Sequence, residues 1–302
     1  MKRIISLLLA VMLAMEICVA ASAEIIEYDI KDTQGNKFDK AGYISDTEYR
    51  DESIHVVISY DRAYDTDYMI VRVSIANGTQ IRTSLSSRDG KSVEAGVTLA
   101  KHANAVFAID GDSFMTHEKG AGKHIVRQGR VVKHNAKGEF DVLVIDSDGN
   151  LDILLKATEE DFDNYEKEIV NAFSFGPALI YNGELMPIER DDSLATEKSA
   201  QRVALCQLAE PEEGYSLSYV CVISAGPENV QPNGKLYKGM DLHQFAEVVY
   251  NIGGITMAYN FDGGSGALAV FNGTKMNKFG IDKSRSISDI IYFATADTEA
   301  FR

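Results

Sequence analysis

The sequence predicts a strand-rich α+β fold: a single domain with a mixed or antiparallel sheet, a few packed helices and several glycine-turn hairpins. Three observations carry this prediction. Nine segments rich in β-branched and aromatic residues lie between turn signals, three joins share one hairpin design, and only three stretches show helical spacing.

The strands are expected at 54–60 (IHVVISY), 67–76, 105–109, 124–133, 140–154, 177–186, 202–209 (RVALCQLA), 215–224 (YSLSYVCVIS) and 291–295. Helices are expected at 92–103 and 240–253, with a weaker one at 159–169. The second has Asp241 as N-cap and Gly253 or Gly254 to end it. The hairpins IVRQGRVV, LIYNGEL and VFNGTKM each set a glycine turn between apolar strands, and two use Asn-Gly, the strongest short turn signal. No fixed period separates them, which excludes a repeat architecture.

The chain opens MKRIISLLLAVMLAMEICVAASA. Lys2-Arg3, an apolar run from Ile4 to Met15 and Ala21-Ser22-Ala23 together read as a signal peptide over 1–23. The run is 12 residues, short of the roughly 20 that a spanning helix needs, so no transmembrane segment is expected after signal removal. A secreted protein, extracellular or periplasmic, follows. Residues 24–49 form a polar leader and 50–302 the domain. Loss of Lys2, Arg3 and Glu16 with the signal takes the formal charge from −15 to −16, which argues against nucleic acid as a partner. Cys206 and Cys221 fall diagonally on a predicted hairpin; an oxidising compartment leaves a bridge between them open, and the diagonal placement favours two buried thiols.

Chemistry concentrates where strands end. In FAIDGDSF, Asp110 and Asp112 flank Gly111 just past an apolar strand, a position that holds carboxylates rigidly at a surface. AYNFDGG repeats the arrangement at Asp262, with Gly263 and Gly264 permitting close backbone approach. An ordinary Asp-Gly turn uses the same residues. The strip 117–137 carries net +5 in an acidic chain, Arg127 included, and suits an anionic substrate; most such runs are solvated faces. Arg202 begins a strand, where a guanidinium clamps phosphate or forms an edge ion pair. No H-E-x-x-H, G-x-S-x-G, Walker loop or G-x-G-x-x-G is present, so zinc-protease, α/β-hydrolase and nucleotide readings lose their signatures.

In order, AVFAIDGDSF, HIVRQGRVV, FDVLVIDSDG, FSFGPALIYNGEL, QRVALCQ, FAEVVYNIGGITMAYNFDGG, VFNGTKMN and RSISDIIYF resemble the bacterial phosphodiester glycosidase family over about residues 90–294. The resemblance implies a glycosidase that hydrolyses a sugar-1-phosphodiester in an extracellular or cell-envelope glycan, such as an exopolysaccharide. It places Asp110, Arg202 and Asp262 in catalysis. Gly111, Asp112, Gly263, Gly264 and Arg127 are the substrate-binding expectations. The chain departs from the family pattern with Asp110 for Asn, Gln201 and Val203 around Arg202, and Gly266-Ala267 where hydroxyls are usual. A non-catalytic phosphoglycan-binding module of the same fold is the alternative. No cofactor is expected; a divalent cation held by oxygens alone is the one metal the residues leave open, and with it a third reading as a phosphoesterase.

Overall fold

The tight turns organise this chain. In the computed structural model, which describes residue 35 and residues 37–87, 91–113, 123–278 and 285–297, all three predicted hairpins close on two residues of positive φ. These are Gln128-Gly129, Asn182-Gly183 and Asn272-Gly273. Two positive φ values make a type I′ turn, whose twist matches that of the flanking strands. Tyr64-Asp65 makes a fourth with no glycine at all, so no turn signal marks it.

Strands β1 (Tyr43–Ser45), β2 (Glu48–Arg50), β3 (Ile54–Ala63) and β4 (Thr66–Ile75) begin a nine-stranded sheet. β5 (Ile81–Leu85) and β6 (Phe107–Asp110), separated by helix α1 (Gly96–His102), enter a five-stranded sheet. A second five-stranded sheet takes β7 (His124–Arg127), β8 (Arg130–His134), β9 (Val142–Asp146), β10 (Leu151–Leu154) and β11 (Ile169–Phe173), with helix α2 (Glu159–Asp163) before the last. The chain then returns to the large sheet through β12 (Ala178–Tyr181), β13 (Glu184–Leu185), β14 (Val203–Leu208) and β15 (Leu217–Ser224). Helix α3 (Leu242–Asn251) precedes its final strand, β16 (Ile255–Phe261). β17 (Ala269–Phe271), β18 (Thr274–Lys275) and β19 (Asp289–Phe293) complete the β5–β6 sheet.

This corrects the expected class. The described residues are mostly β, and every ladder between the named strands is antiparallel. Helix α2 stops after five residues: its Thr158–Asp161 capping box starts it, but only the partly buried Phe162 packs from it, too little apolar contact to carry it further. α3 follows its prediction, with Asp241 accepting from the Gln244 amide and Gly253 at φ 78° just past its end. The expected polar leader also changes. Residues 43–50, of which 43–49 belong to that leader, form the edge hairpin β1–β2, and Tyr49 is fully buried. Residues 1–23 lie outside the described part.

One buried apolar cluster draws on all three sheets, with Val71 and Leu205 from the first, Phe107 and Phe293 from the second, and Leu143 and Phe173 from the third. α3 covers the outer face of the large sheet through Leu242, Phe245 and Val249. Register separates the two cysteines. Cys221 opposes Leu205 and joins the cluster between the sheets, whereas Cys206 faces α3. Both are free thiols. No helix of the described residues is long and apolar enough to cross a membrane.

Candidate active site

β6 ends at Asp110, opposite the start of β17, and β16 ends one residue before Asp262. Antiparallel pairing of β6 with both β17 and β19 fixes the first carboxylate. Asp110 Oδ1 accepts from the Leu268 amide at 2.7 Å, while Oδ2 is buried without a hydrogen-bond partner. Burial raises the Asp110 pKa well above the carboxylate range, and the nearby Asp262 charge raises it further. Asp262 is itself pushed up to about 6, with burial outweighing the opposing pull of the Arg285 guanidinium. Two carboxyl groups thus share one corner, and burial favours the protonated form of Asp110 there.

Arg285 was not among the sequence-predicted site residues. Its Nη2 donates to Asp262 Oδ2, and its amide donates to the Ser265 carbonyl. The arginine side chain is 30% exposed and that of Asp262 12%, so the pair sits at the mouth of the corner. Room for it comes from Gly266: a Cβ there would lie 2.6 Å from Asp262 Oδ2 and 2.8 Å from Arg285 Nη2. The hydroxyl missing at this position is therefore the space that the ion pair fills. Gly263 is required for a related reason, because a Cβ would lie 2.2 Å from the Gln201 carbonyl. Gly264 lies beyond it at φ 56°, its amide donating to the same carbonyl.

Asp112 and Arg127 turn inward. Asp112 accepts from Arg127 Nη2 at 2.8 Å and from the Ser174 amide at 3.1 Å. Arg127 also holds Asp289 through Nε at 2.7 Å, the Val126 carbonyl at 2.9 Å and the Ala172 carbonyl, with its guanidinium 3.8 Å over the Phe173 ring. Every donor direction is taken inside the protein. The expectation that Arg127 and Asp112 bind substrate thus meets a buried ion cluster that braces the corner from behind. Gly111 permits it, since a Cβ there would lie within 2.9 Å of the Asp289 carboxylate. Asp289, like Arg285, sits in RSISDIIYF, where a charge at the start of an apolar strand was the only available signal.

Arg202 is close in backbone and distant in purpose. It lies one step beyond the Val203–Phe261 pair, hence across from Asp262. Its guanidinium, however, donates to the carbonyls of Leu194, Ala195 and Lys198 at 3.2, 2.7 and 2.7 Å. Burial lowers its pKa to about 10, opposed by Asp241. Of the three predicted catalytic side chains, Asp110 and Asp262 converge and Arg202 clasps a loop. Lys123 of the basic strip is likewise internal. It donates to the Ser174 carbonyl and lies 3.1 Å over the Phe140 ring, and burial brings its pKa down to about 8. Among the described residues no three His, Cys, Asp or Glu side chains are grouped to hold a metal.

A carboxylate and a guanidinium at the mouth, with a second carboxyl group buried behind them, are parts that suit cleavage of a bond to an anionic leaving group. The catalytic domain of zebrafish N-acetylglucosamine-1-phosphodiester alpha-N-acetylglucosaminidase, auto-inhibited by its pro-peptide, superposes with a TM-score of 0.61. It is 18% identical, and 87% of each chain is covered. A hypothetical protein from Synechocystis gives 0.58 at 13% identity, covering 81% of this chain and 62% of its own. Both likenesses describe the fold. Among curated proteins no match is found. A family model described as phosphodiester glycosidase matches residues 103–294, from the loop before β6 to the residue after β19. The match covers more than half of the sequence, and the chain belongs to the phosphodiester glycosidase family.

Proposed function

We propose that the protein is a secreted glycosidase that hydrolyses a sugar-1-phosphodiester in an extracellular or cell-envelope glycan. The observation that carries the reading is the Asp110–Asp262 corner with Arg285 at its mouth. Asp262, ionised above about pH 6, faces the anomeric carbon as base or nucleophile. Asp110, buried behind it and favoured in its protonated form by that burial, backs the corner while accepting from the Leu268 amide. The leaving phosphate ester is already a stable anion, so it needs a cation more than a proton donor. Arg285 supplies that cation: when the phosphate enters, the guanidinium exchanges one anionic partner for another. Gly263 and Gly264 keep the backbone low enough for the ester to approach.

The test is release of reducing sugar from an N-acetylglucosamine-1-phosphodiester. The wild-type protein turns it over, and Asp262→Asn lowers kcat by about 10²–10⁴-fold, the range of a lost acid–base group. Absence of turnover across several sugars would sink the reading. Measured affinity without release would support the binding-module alternative instead.

A further inference from the structure

His124 and His134 stand ten residues apart in the chain, and strand pairing brings them together. β7 and the outer strand β8 align them as direct cross-strand partners. Their Nδ1 atoms lie 2.8 Å apart, with the ring planes at 80°. The two imidazoles differ in freedom. His124 is buried and stacked on Phe162 of α2 with ring centroids 3.6 Å apart, whereas His134 is exposed at the sheet edge.

We infer that this pair is a binding site for a divalent transition-metal ion of square-planar or tetragonal preference, copper(II) foremost, held by Nδ1 of both rings. The inference is independent of the glycosidase reading above. Imidazole suits such ions, and two nitrogens bound at roughly 2.0–2.1 Å lie about 2.9 Å apart when they meet the ion at a right angle, against about 3.3 Å at a tetrahedral angle. The observed separation fits the right angle, which belongs to copper(II) and nickel(II) rather than to zinc, and copper is the tighter binder of the two. The Phe162 stack fixes one ligand in advance. The exposed His134 ring turns to aim its lone pair and gives the ion a way in from solvent, and waters fill the remaining positions. Without the ion, one Nδ1 donates its proton to the other. On binding, that proton passes to Nε2 of its own ring, so both Nδ1 atoms are free to coordinate. Local charge does not oppose the ion. Lys133 precedes His134 on β8 and so points to the opposite sheet face, and Lys123 is turned to the Ser174 carbonyl. The helix that carries Phe162 brings Glu159, Glu160 and Asp161 in its first turn.

The experiment titrates copper(II) into the full chain, first stripped with a chelator, and reads the bound ion by electron paramagnetic resonance. The wild-type protein should take up one equivalent whose spectrum carries coupling to two imidazole nitrogens. His134→Ala, at an exposed position, and His124→Phe, which keeps a ring against Phe162, should each weaken that equivalent about 10²-fold, the worth of closing a two-ligand chelate. Copper should also raise the urea midpoint of the wild type and leave that of His134→Ala unmoved. Uptake that survives both substitutions would be an adventitious ion only and overturns the site, as does a wild-type chain that takes up no such equivalent. Zinc bound as tightly as copper would overturn the right-angle arrangement. Should His124→Phe fail to fold, His134→Ala alone decides among these results.

Discussion

The corner's chemistry comes from two side chains in conflict with their surroundings. Asp110 is 1% exposed, with one carboxyl oxygen lacking a partner, so burial makes the folded chain hold its proton to higher pH than the unfolded chain does. Raised carboxyl pKa values stabilise only below the unfolded value and lose that contribution as pH rises. Asp110→Asn, neutral in both states and able to keep the Leu268 bond through its Oδ1, should raise Tm at pH 7.5. The gain should shrink toward pH 4, as read by circular dichroism. Equal Tm values at pH 7.5 would mean that the carboxyl is not strained by burial. Gly266 acts on the other member. Gly266→Ala brings a methyl group against both partners of the Asp262–Arg285 pair, weakening the contact that lowers the Asp262 pKa. The acid limb of the kcat/KM profile, expected near pH 6, should move upward by several tenths of a pH unit or more. An unmoved limb would show that Arg285 does not set the charge on Asp262.

Elements put these residues in place, and here the sequence was informative only where local rules apply. The Asn-Gly and Gln-Gly hairpins, the α3 cap and the strand ends at Asp110 and Asp262 were all legible, because turn φ values and caps depend on a few neighbouring residues. Arg127 was misleading. Its position after the Asp110 segment suggested a surface strip, yet β7 lies inside its sheet, and pairing with β11 carries the guanidinium to Asp112 and Asp289. Asp289 is distant in sequence from both, so no local pattern announces the cluster. Arg202 misled in the same way, since the loop it clasps precedes it and carries no signature of its own. α3 gives a test at this scale. Asp241 caps it through the Gln244 amide at 2.8 Å and sits beside the Met240 strand bridge. Asp241→Ala should cost about 1 kcal/mol of unfolding free energy in urea. A loss much smaller than that would mean that packing of Leu242 and Phe245, rather than the cap, starts the helix.

Across the whole molecule, titrating groups of opposite sign set how stability responds to acid. His124 is buried on β7, stacked 3.6 Å from the Phe162 ring, with its Nδ1 2.8 Å from that of His134. Burial first, and the His134 charge second, lower its pKa to about 3 from 6.5. A depressed histidine stabilises fully above the unfolded value and loses that contribution as pH falls, by roughly 2 kcal/mol at pH 5. Asp262 works the other way. With a folded pKa of about 6 against 3.8, it gains on the order of 1 kcal/mol between pH 7 and pH 5, and Asp110 adds to that gain. The two slopes oppose each other across the same window, so the wild-type protein should hold a nearly flat urea midpoint from pH 7 to 5. His124→Phe keeps an aromatic ring against Phe162 and removes one slope. Its midpoint should therefore climb as pH falls through that interval, and parallel curves for variant and wild type would show that the buried imidazole does not govern acid stability.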